Sequence, residues 1–371
     1  MQKTTDVVII GAGVIGCSTA YHLAKLGLTD VVVLEMGTIA SGTTGKSASM
    51  LSLQFAEDRL LARMARYCYD RYMLFEEEMG TPIDFRNIGW VFVATKETKG
   101  KLNQHARMLH SMDISIQILT PAELKEMCPQ LRTDDIELAT WGPEDGTIDA
   151  HMITTGYMKR ARQMGVSLYE GVRAVNILVR EGRVEGVVTT SGPITTRVVI
   201  NAGGPWSAEI GRWVDVDIPL CNATRTVVVT GTTPEIPRHH PFVEDLTAEW
   251  YFRPEGDGVL MATGKRPVES VDDRLDREMV DANIEAAVHR VPVLEKAGLL
   301  TAWTGVRPLT PDGRPILGAV PSIEGLILNC GWGGMGIIQA PAAGQLVAEF
   351  VVKGRASTFD LEQMSLGRFE T

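Results

Sequence analysis

Two periods alternate at the start of the chain. An uninterrupted apolar run, Val7 to Ile10, leads into a glycine turn, a helically spaced stretch from Val14 to Leu26, and a second apolar run from Val31 to Leu34. Short continuous apolar runs suit strands buried on both faces, and the stretch between them has the period of a helix, so the pattern predicts a βαβ unit. Further on, Leu60, Leu61, Met64, Tyr67 and Leu74 recur among charges, which predicts one long amphipathic helix over Ala56 to Glu78. A strand is expected at Trp90 to Ala94. A helix start is expected at Thr120, followed by Pro121, Ala122 and Glu123.

In the middle of the chain the period shortens. Three strand-like runs between Gly171 and Ala202, divided at Glu181-Gly182 and Ser191-Gly192, predict a β-meander that ends in the glycine cluster Asn201 to Gly204. Strands are expected again over Thr226 to Thr230 and Trp250 to Met261, and a helix over Asp276 to Leu294. The last third predicts a strand from Gly325 to Cys330, a glycine-rich turn and an apolar helix from Ile337 to Val352.

Composition adds exclusions. With 371 residues, 44% hydrophobic and 22% charged, the chain can bury a large core in two domains, and no repeat or low-complexity linker separates them. A net charge of -10 and the absence of a basic stripe argue against a nucleic-acid partner. Five scattered cysteines without a CxxC indicate neither a disulfide framework nor a zinc or other metal site, and fit a reducing compartment. The opening MQKTTDVVIIGAG has no signal core and no apolar run approaches the roughly 18 residues of a membrane span, so a cytoplasmic location is expected.

Four segments carry chemistry. Gly11, Gly13 and Gly16 fall in GxGxxG spacing between a strand and a helix, where glycines allow a tight turn, close approach of a diphosphate, and close helix packing. Glu35 ends the next strand, 19 residues past Gly16, where a carboxylate accepts hydrogen bonds from an adenosine ribose. An adenine dinucleotide is therefore expected, and this motif alone leaves FAD and NAD open. Ser41 to Met50 is rich in hydroxyls and small residues that could line a diphosphate and ribityl chain, or form an ordinary solvated loop. In WTGVRPLTPDGRPILG, Trp303 to Gly318, Arg307 sits in a proline-stiffened frame suited to clamping a carboxylate, although alone it would read as a surface arginine in a turn. The cluster Gly331 to Gly344 again stands between strand and helix, where backbone could approach a planar ring.

In this order, and together with DGTID at Asp145 to Asp149 and VINAGGPWS at Val199 to Ser207, these segments resemble the D-amino-acid oxidase, glycine oxidase and sarcosine oxidase (beta subunit) superfamily of FAD-dependent amine oxidoreductases. The resemblance covers nearly the whole chain, and GVRPLTPDGRPILG is its most specific part. It implies FAD rather than NAD, and an α/β fold in two parts. A Rossmann-like FAD-binding domain would be assembled from residues 1–85, 141–215 and 306–371. An α+β substrate domain with a large mixed or antiparallel sheet would come from 86–140 and 216–305.

Residue by residue, the resemblance assigns Gly11, Gly13, Gly16, Glu35, Ser41, Gly42, Thr43 and Thr44 to the adenosine and diphosphate. It places Ala174 by the adenine, Gly203 by the diphosphate, and Met335, Gly336, Ile337 and Ile338 by the flavin end. Arg307 falls where related enzymes clamp the substrate carboxylate, and Tyr251 where a tyrosine assists; Tyr251 reads equally as a core aromatic on a strand. Relatives that attach FAD covalently do so through a histidine after TTW or a cysteine near TPD. Here Gly45 and Lys46 follow the threonines and Gly305 fills the other place, which implies non-covalent FAD. His151 lies one residue from where a heterotetrameric relative links FMN, and reads as an ordinary polar side chain. Gly334 replaces an arginine of glycine oxidase, which implies a larger or secondary amine.

The implied reaction is oxidation of the C–N bond of an amino acid or N-alkyl amino acid of the sarcosine, dimethylglycine, proline or glycine type. Hydride would pass to flavin N5, and the imine would hydrolyse. The alternative is a non-catalytic flavin-binding subunit relaying electrons within a heteromeric dehydrogenase. Expected partners are a small amine carrying a carboxylate, oxygen or a protein or quinone acceptor, and partner subunits or further copies of the chain. Oxidases related to monomeric sarcosine oxidase place a lysine over the flavin; the corresponding strand, Gly258 to Gly264, has none, and Lys265 falls just past its end. A dehydrogenase is expected on that ground, with Lys46 as the other cation that could serve oxygen.

Overall fold

The computed structural model describes residues 1–56 and 58–369. The βαβ unit is present as Val7–Ile10, the helix Val14–Lys25 and Val31–Leu34, with every residue of both strands buried. These strands lie inside a six-stranded sheet ordered Ile316–Ala319, Leu326–Cys330, Val198–Asn201, Val7–Ile10, Val31–Leu34, Ser167–Tyr169. All neighbours run parallel except Ile316–Ala319, which closes one edge antiparallel. Val7 sits in register between Val198 and Val31, so distant segments complete one layer.

Helices cover one face of this sheet. Val14–Lys25 packs against Ala150–Gln163 and Gly336–Lys353, and Arg59–Met73 packs against the latter. The first and last of these helices meet where the Ser18 hydroxyl donates to the Ala340 carbonyl at 2.7 Å. The other face carries a three-stranded sheet, Ala174–Arg180, Arg183–Thr189 and Gly192–Thr195, which joins Val8, Ile10, Val32 and Leu34 in a second core.

The second large sheet has eight strands, ordered Leu299–Leu309, Cys221–Thr230, Gly258–Val268, Trp250–Glu255, Phe242–Asp245, Trp90–Ala94, Leu138–Gly142, Gln117–Leu119. It is mixed: only Phe242–Asp245 and Trp90–Ala94 pair parallel. Behind it, the buried Arg290 guanidinium binds Asp245 and Asp135, each at 2.7 Å. Removing one partner of such a buried pair costs about 3–5 kcal/mol.

Several expectations are corrected. The long helix over Ala56 to Glu78 is two, Arg59–Met73 and Phe75–Met79, the first capped by the Asp58 side chain on the Leu61 N–H; Glu57 lies outside the described residues. The third run of the meander divides after Thr195: Gly192–Thr195 stays in the small sheet, whereas Val198–Asn201 crosses into the six-stranded one. Thr196 makes that break, its hydroxyl donating to the Asp6 carbonyl at 2.9 Å. Trp250 to Met261 is a hairpin turning at Gly256 and Asp257, and its second strand runs to Val268, so Lys265 lies within the strand. At Thr120 the expected start is a complete capping box with Glu123. Among the described residues, no helix is long and apolar enough to cross a membrane.

Candidate active site

A cavity of about 440 Å³ opens where the six-stranded sheet's parallel strands end, at Ile10, Leu34 and Cys330. That is the usual ligand position in such sheets. Its opposite wall is the broad sheet, through Arg225, Val227, Tyr251 and Gly305 to Pro308.

Gly11, Gly13, Glu35, Ser41, Gly42, Thr43, Thr44, Ala174 and Gly203 are brought together on the first wall. Gly11 has φ +107°, and a Cβ there would lie 2.4 Å from the Ala202 carbonyl oxygen. Gly16 stands behind the wall, where a Cβ would lie 1.9 Å from the Gly11 oxygen, so it permits the turn without touching the cavity. The Glu35 carboxylate is fixed at both oxygens, accepting from Ala12 N–H at 2.9 Å and Gly37 N–H at 2.8 Å. Thr44 Oγ1 accepts from Val14 N–H at 3.1 Å, and the Thr43 hydroxyl donates to the Val306 carbonyl at 2.6 Å, tying the hydroxyl-rich loop to the strand that bears Arg307.

Two helices point their N-termini at this cavity. The first turns of Arg59–Met73, Ala150–Gln163 and Arg277–Arg290 are closed by Asp58, Asp149 and Asp276. The N-cap residues of Val14–Lys25 and Gly336–Lys353 give no side-chain cap and neither first turn holds an acidic residue; at the first helix the neutral Thr44 hydroxyl takes only the Val14 N–H. Their partial positive charge is therefore left for a ligand. Gly336 and Ile337 reach the cavity, whereas Met335 and Ile338 are buried in the core beside it and form no part of the wall.

Arg307 belongs to the broad-sheet wall. Burial pushes its guanidinium down to about 10, with the Arg225 charge acting the same way and Tyr251 and Glu244 opposing. Among the described residues it forms no salt bridge. The Tyr251 hydroxyl, close enough to support the Arg307 charge, closes no hydrogen bond of normal geometry. A Cβ on Gly334 would lie 3.1 Å from Arg307 Nη1, so the glycine makes room for the guanidinium.

Sequence reasoning missed two charged residues here. Arg225, interrupting the strand Cys221–Thr230, lines the cavity with its Cζ 4.8 Å from the Tyr251 ring centroid. Its Nε and Nη2 donate to the carbonyls of Gly264 and Glu249, each at 3.1 Å. Glu244 stands directly opposite Tyr251 on the next strand, with a buried Oε2 that has no hydrogen-bond partner among the described residues; burial raises its carboxyl while Arg225, Arg307 and Lys265 pull it down. A charge inside an apolar strand was the available signal for Arg225. The four-residue strand that holds Glu244 was too short to stand out.

Lys46 reaches the cavity and is paired with Asp273, which also lines it; Lys265 is exposed and off the wall. His151 is exposed on the first turn of its helix. Gly305 faces the Lys46 backbone and side chain, a Cβ there lying 3.2 Å from Lys46 Cβ. Among the described residues the wall holds no histidine and one cysteine, Cys330, whose thiol burial pushes up to about 12.

The glycine turn and two helix ends without an acidic cap offer donors, and the fixed Glu35 carboxylate an acceptor, in an arrangement that fits FAD. The chain belongs to the FAD-dependent oxidoreductase family, whose profile matches residues 6–350; this is a family of flavin enzymes with FAD as cofactor.

Among individual proteins, it is similar to mitochondrial sarcosine dehydrogenase of Mus musculus, 33% identical over 390 residues, covering 100% of this chain and 42% of that protein. The chain thus spans less than half the length of that relative. It is also similar to sarcosine oxidase subunit beta of an Arthrobacter species, 28% identical over 384 residues, covering 100% of this chain and 92% of that one. Among solved structures, L-proline dehydrogenase from P. horikoshii matches with a TM-score of 0.91 at 26% identity, covering 100% of this chain and 99% of the other.

Proposed function

We propose that this protein oxidises the C–N bond of an amino acid or N-alkyl amino acid whose carboxylate is held by Arg307 and Tyr251. The observation that carries the reading is an arginine on the broad-sheet wall of the cavity, across from the sheet that ends at Glu35, without an ion-pair partner among the described residues. A guanidinium placed so offers a bidentate site to a carboxylate. Similarity to sarcosine and L-proline dehydrogenases supports that substrate class.

The chain's own residues divide the work. Glu35 would hold the adenosine ribose and Ala174 would flank the adenine. Gly11, Gly13, Gly203 and the Ser41 to Thr44 loop would receive the diphosphate, and Gly336 and Ile337 would border the ring. FAD, when bound, supplies the two-electron acceptor. Arg307 and Tyr251 orient the amine by its acid group, and the surrounding wall keeps bulk water from that end. Attachment is non-covalent in this reading, since the wall offers no histidine and a thiol held protonated. With Lys46 paired to Asp273 and Lys265 off the wall, neither lysine offers oxygen a free charge among the described residues, which favours a dehydrogenase. An electron-relay subunit has no need of a carboxylate clamp, so Arg307 weighs against that alternative; similarity to a beta subunit supports partner subunits.

The test is anaerobic bleaching of the bound flavin by glycine, sarcosine, dimethylglycine, proline and D-amino acids. Bleaching by a secondary or tertiary amino acid is expected. No bleaching by any of them, in protein with full FAD, would overturn the proposal.

A further inference from the structure

Arg225 and Arg307 stand on neighbouring antiparallel strands, with Arg225 opposite Gly305 and Arg307 opposite Ala223. They are therefore diagonal neighbours on one face of the sheet, roughly 7–8 Å apart at the backbone. Both reach the same cavity. Arg225 spends Nε and Nη2 on backbone carbonyls and its flat face on Tyr251, which locks the guanidinium without neutralising it. Arg225 lines the cavity, and among the described residues its Nη1 makes no hydrogen bond. The nearby carboxylate, Glu244, feels both charges but among the described residues bonds to neither arginine, and its Oε2 is buried.

A single α-carboxylate occupies one guanidinium. Two, held rigidly at this spacing with donors open to one cavity, match the two ends of a small diacid. We propose that Arg225 is a second carboxylate-reading residue and that the substrate is an N-substituted dicarboxylic amino acid, with its nitrogen carried beside the carboxylate on Arg307. This rests on the amine-oxidising reading of the cavity. Charge alone would attract an anion to any basic pocket; the fixed pair of guanidiniums adds a preference set by distance.

The test uses matched pairs that differ in the second acid group. FAD-loaded protein is titrated anaerobically with N-methyl-L-alanine and N-methyl-L-aspartate, and aerobically with propionate and succinate as non-reacting ligands that perturb the flavin spectrum. Wild type should prefer the diacid of each pair by at least tenfold. In Arg225→Met that ratio should fall close to one, and Arg225→Lys should recover part of it. Because the ratio is taken within each variant, a general loss of stability or of FAD cancels. A wild-type ratio near one, or a ratio unchanged in Arg225→Met, overturns the proposal and leaves the clamp at Arg307 standing. Failure of both acids and both amines to perturb or bleach the wild-type flavin would sink the amine-oxidising reading and this inference with it.

Discussion

The Tyr72 hydroxyl supplies the hydrogen bond that Pro341 cannot. Pro341 lies inside the helix Gly336–Lys353 and has no N–H to offer the Ile337 carbonyl four residues earlier. Tyr72, on the helix Arg59–Met73, donates to that carbonyl, and Cys68, one turn before it, accepts from Ala342 N–H at 3.4 Å. Ile337 is also part of the cavity wall, so the repair holds the helix end that faces the ligand.

Tyr72→Phe should therefore cost about 1–3 kcal/mol, the penalty for a buried carbonyl left unpaired. Pro341→Ala restores an N–H, and in that background the same tyrosine change should cost clearly less. Denaturant unfolding of the four proteins measures the coupling. Equal losses in both backgrounds would break the link.

Arg307→Ala should weaken carboxylate binding by about 1.5–3 kcal/mol, roughly 10- to 150-fold, with FAD retained. Gly334→Ala should weaken it less, by pressing a methyl group against Nη1. Spectral titration with propionate reports both, and unchanged affinity in Arg307→Ala would refute the clamp.

Glu35→Ala should loosen FAD while leaving the carboxylate end intact. The side chain also fastens Ala12 and Gly37, so its loss frees the glycine turn as well as the ribose site. Flavin remaining after extended dialysis is the measurement, and full occupancy would count against the assignment.

Reoxidation of the reduced protein in air-saturated buffer should be slow. Lys46→Met should change it little, because that lysine is already paired, whereas Asp273→Asn should free the charge and speed the reaction. Rapid wild-type reoxidation with stoichiometric peroxide would overturn the dehydrogenase reading.

Asp145 gives a pH signature. Burial pushes its carboxyl up to about 7, against the bonds it accepts from Leu53 N–H and the Ser52 hydroxyl. Unfolded, it titrates near ~3.9. Between those values the folded protein holds the extra proton, so this group's contribution to stability falls as pH rises from about 4 to 7. Asp145→Asn should flatten that part of the stability profile, and an unchanged slope from pH 4 to 8 would exclude the assignment.

Much of this was legible in the sequence because it rests on local rules. Gly11, Gly13 and Glu35 declare themselves by spacing, since a dinucleotide turn needs glycine at set offsets and an acid at the next strand's end. The segment Met335 to Ile338 spans the expected helix start, where successive side chains point different ways: Gly336 and Ile337 reach the cavity and Met335 and Ile338 pack beside it. Arg225 was hidden for a different reason. Its meaning depends on which strands become neighbours, and strand order is not written in the period of a single strand.

The layering of the six-stranded sheet also bears on how the protein is made. Val7–Ile10 leaves the ribosome before one of its partners, Val198–Asn201, and the cavity beside it is finished only by Gly336 and Ile337. During synthesis this strand must wait with an unpaired edge until that partner has been added. A nascent chain stalled before residue 336 would present a glycine turn whose pocket lacks the helix end at Gly336 and Ile337.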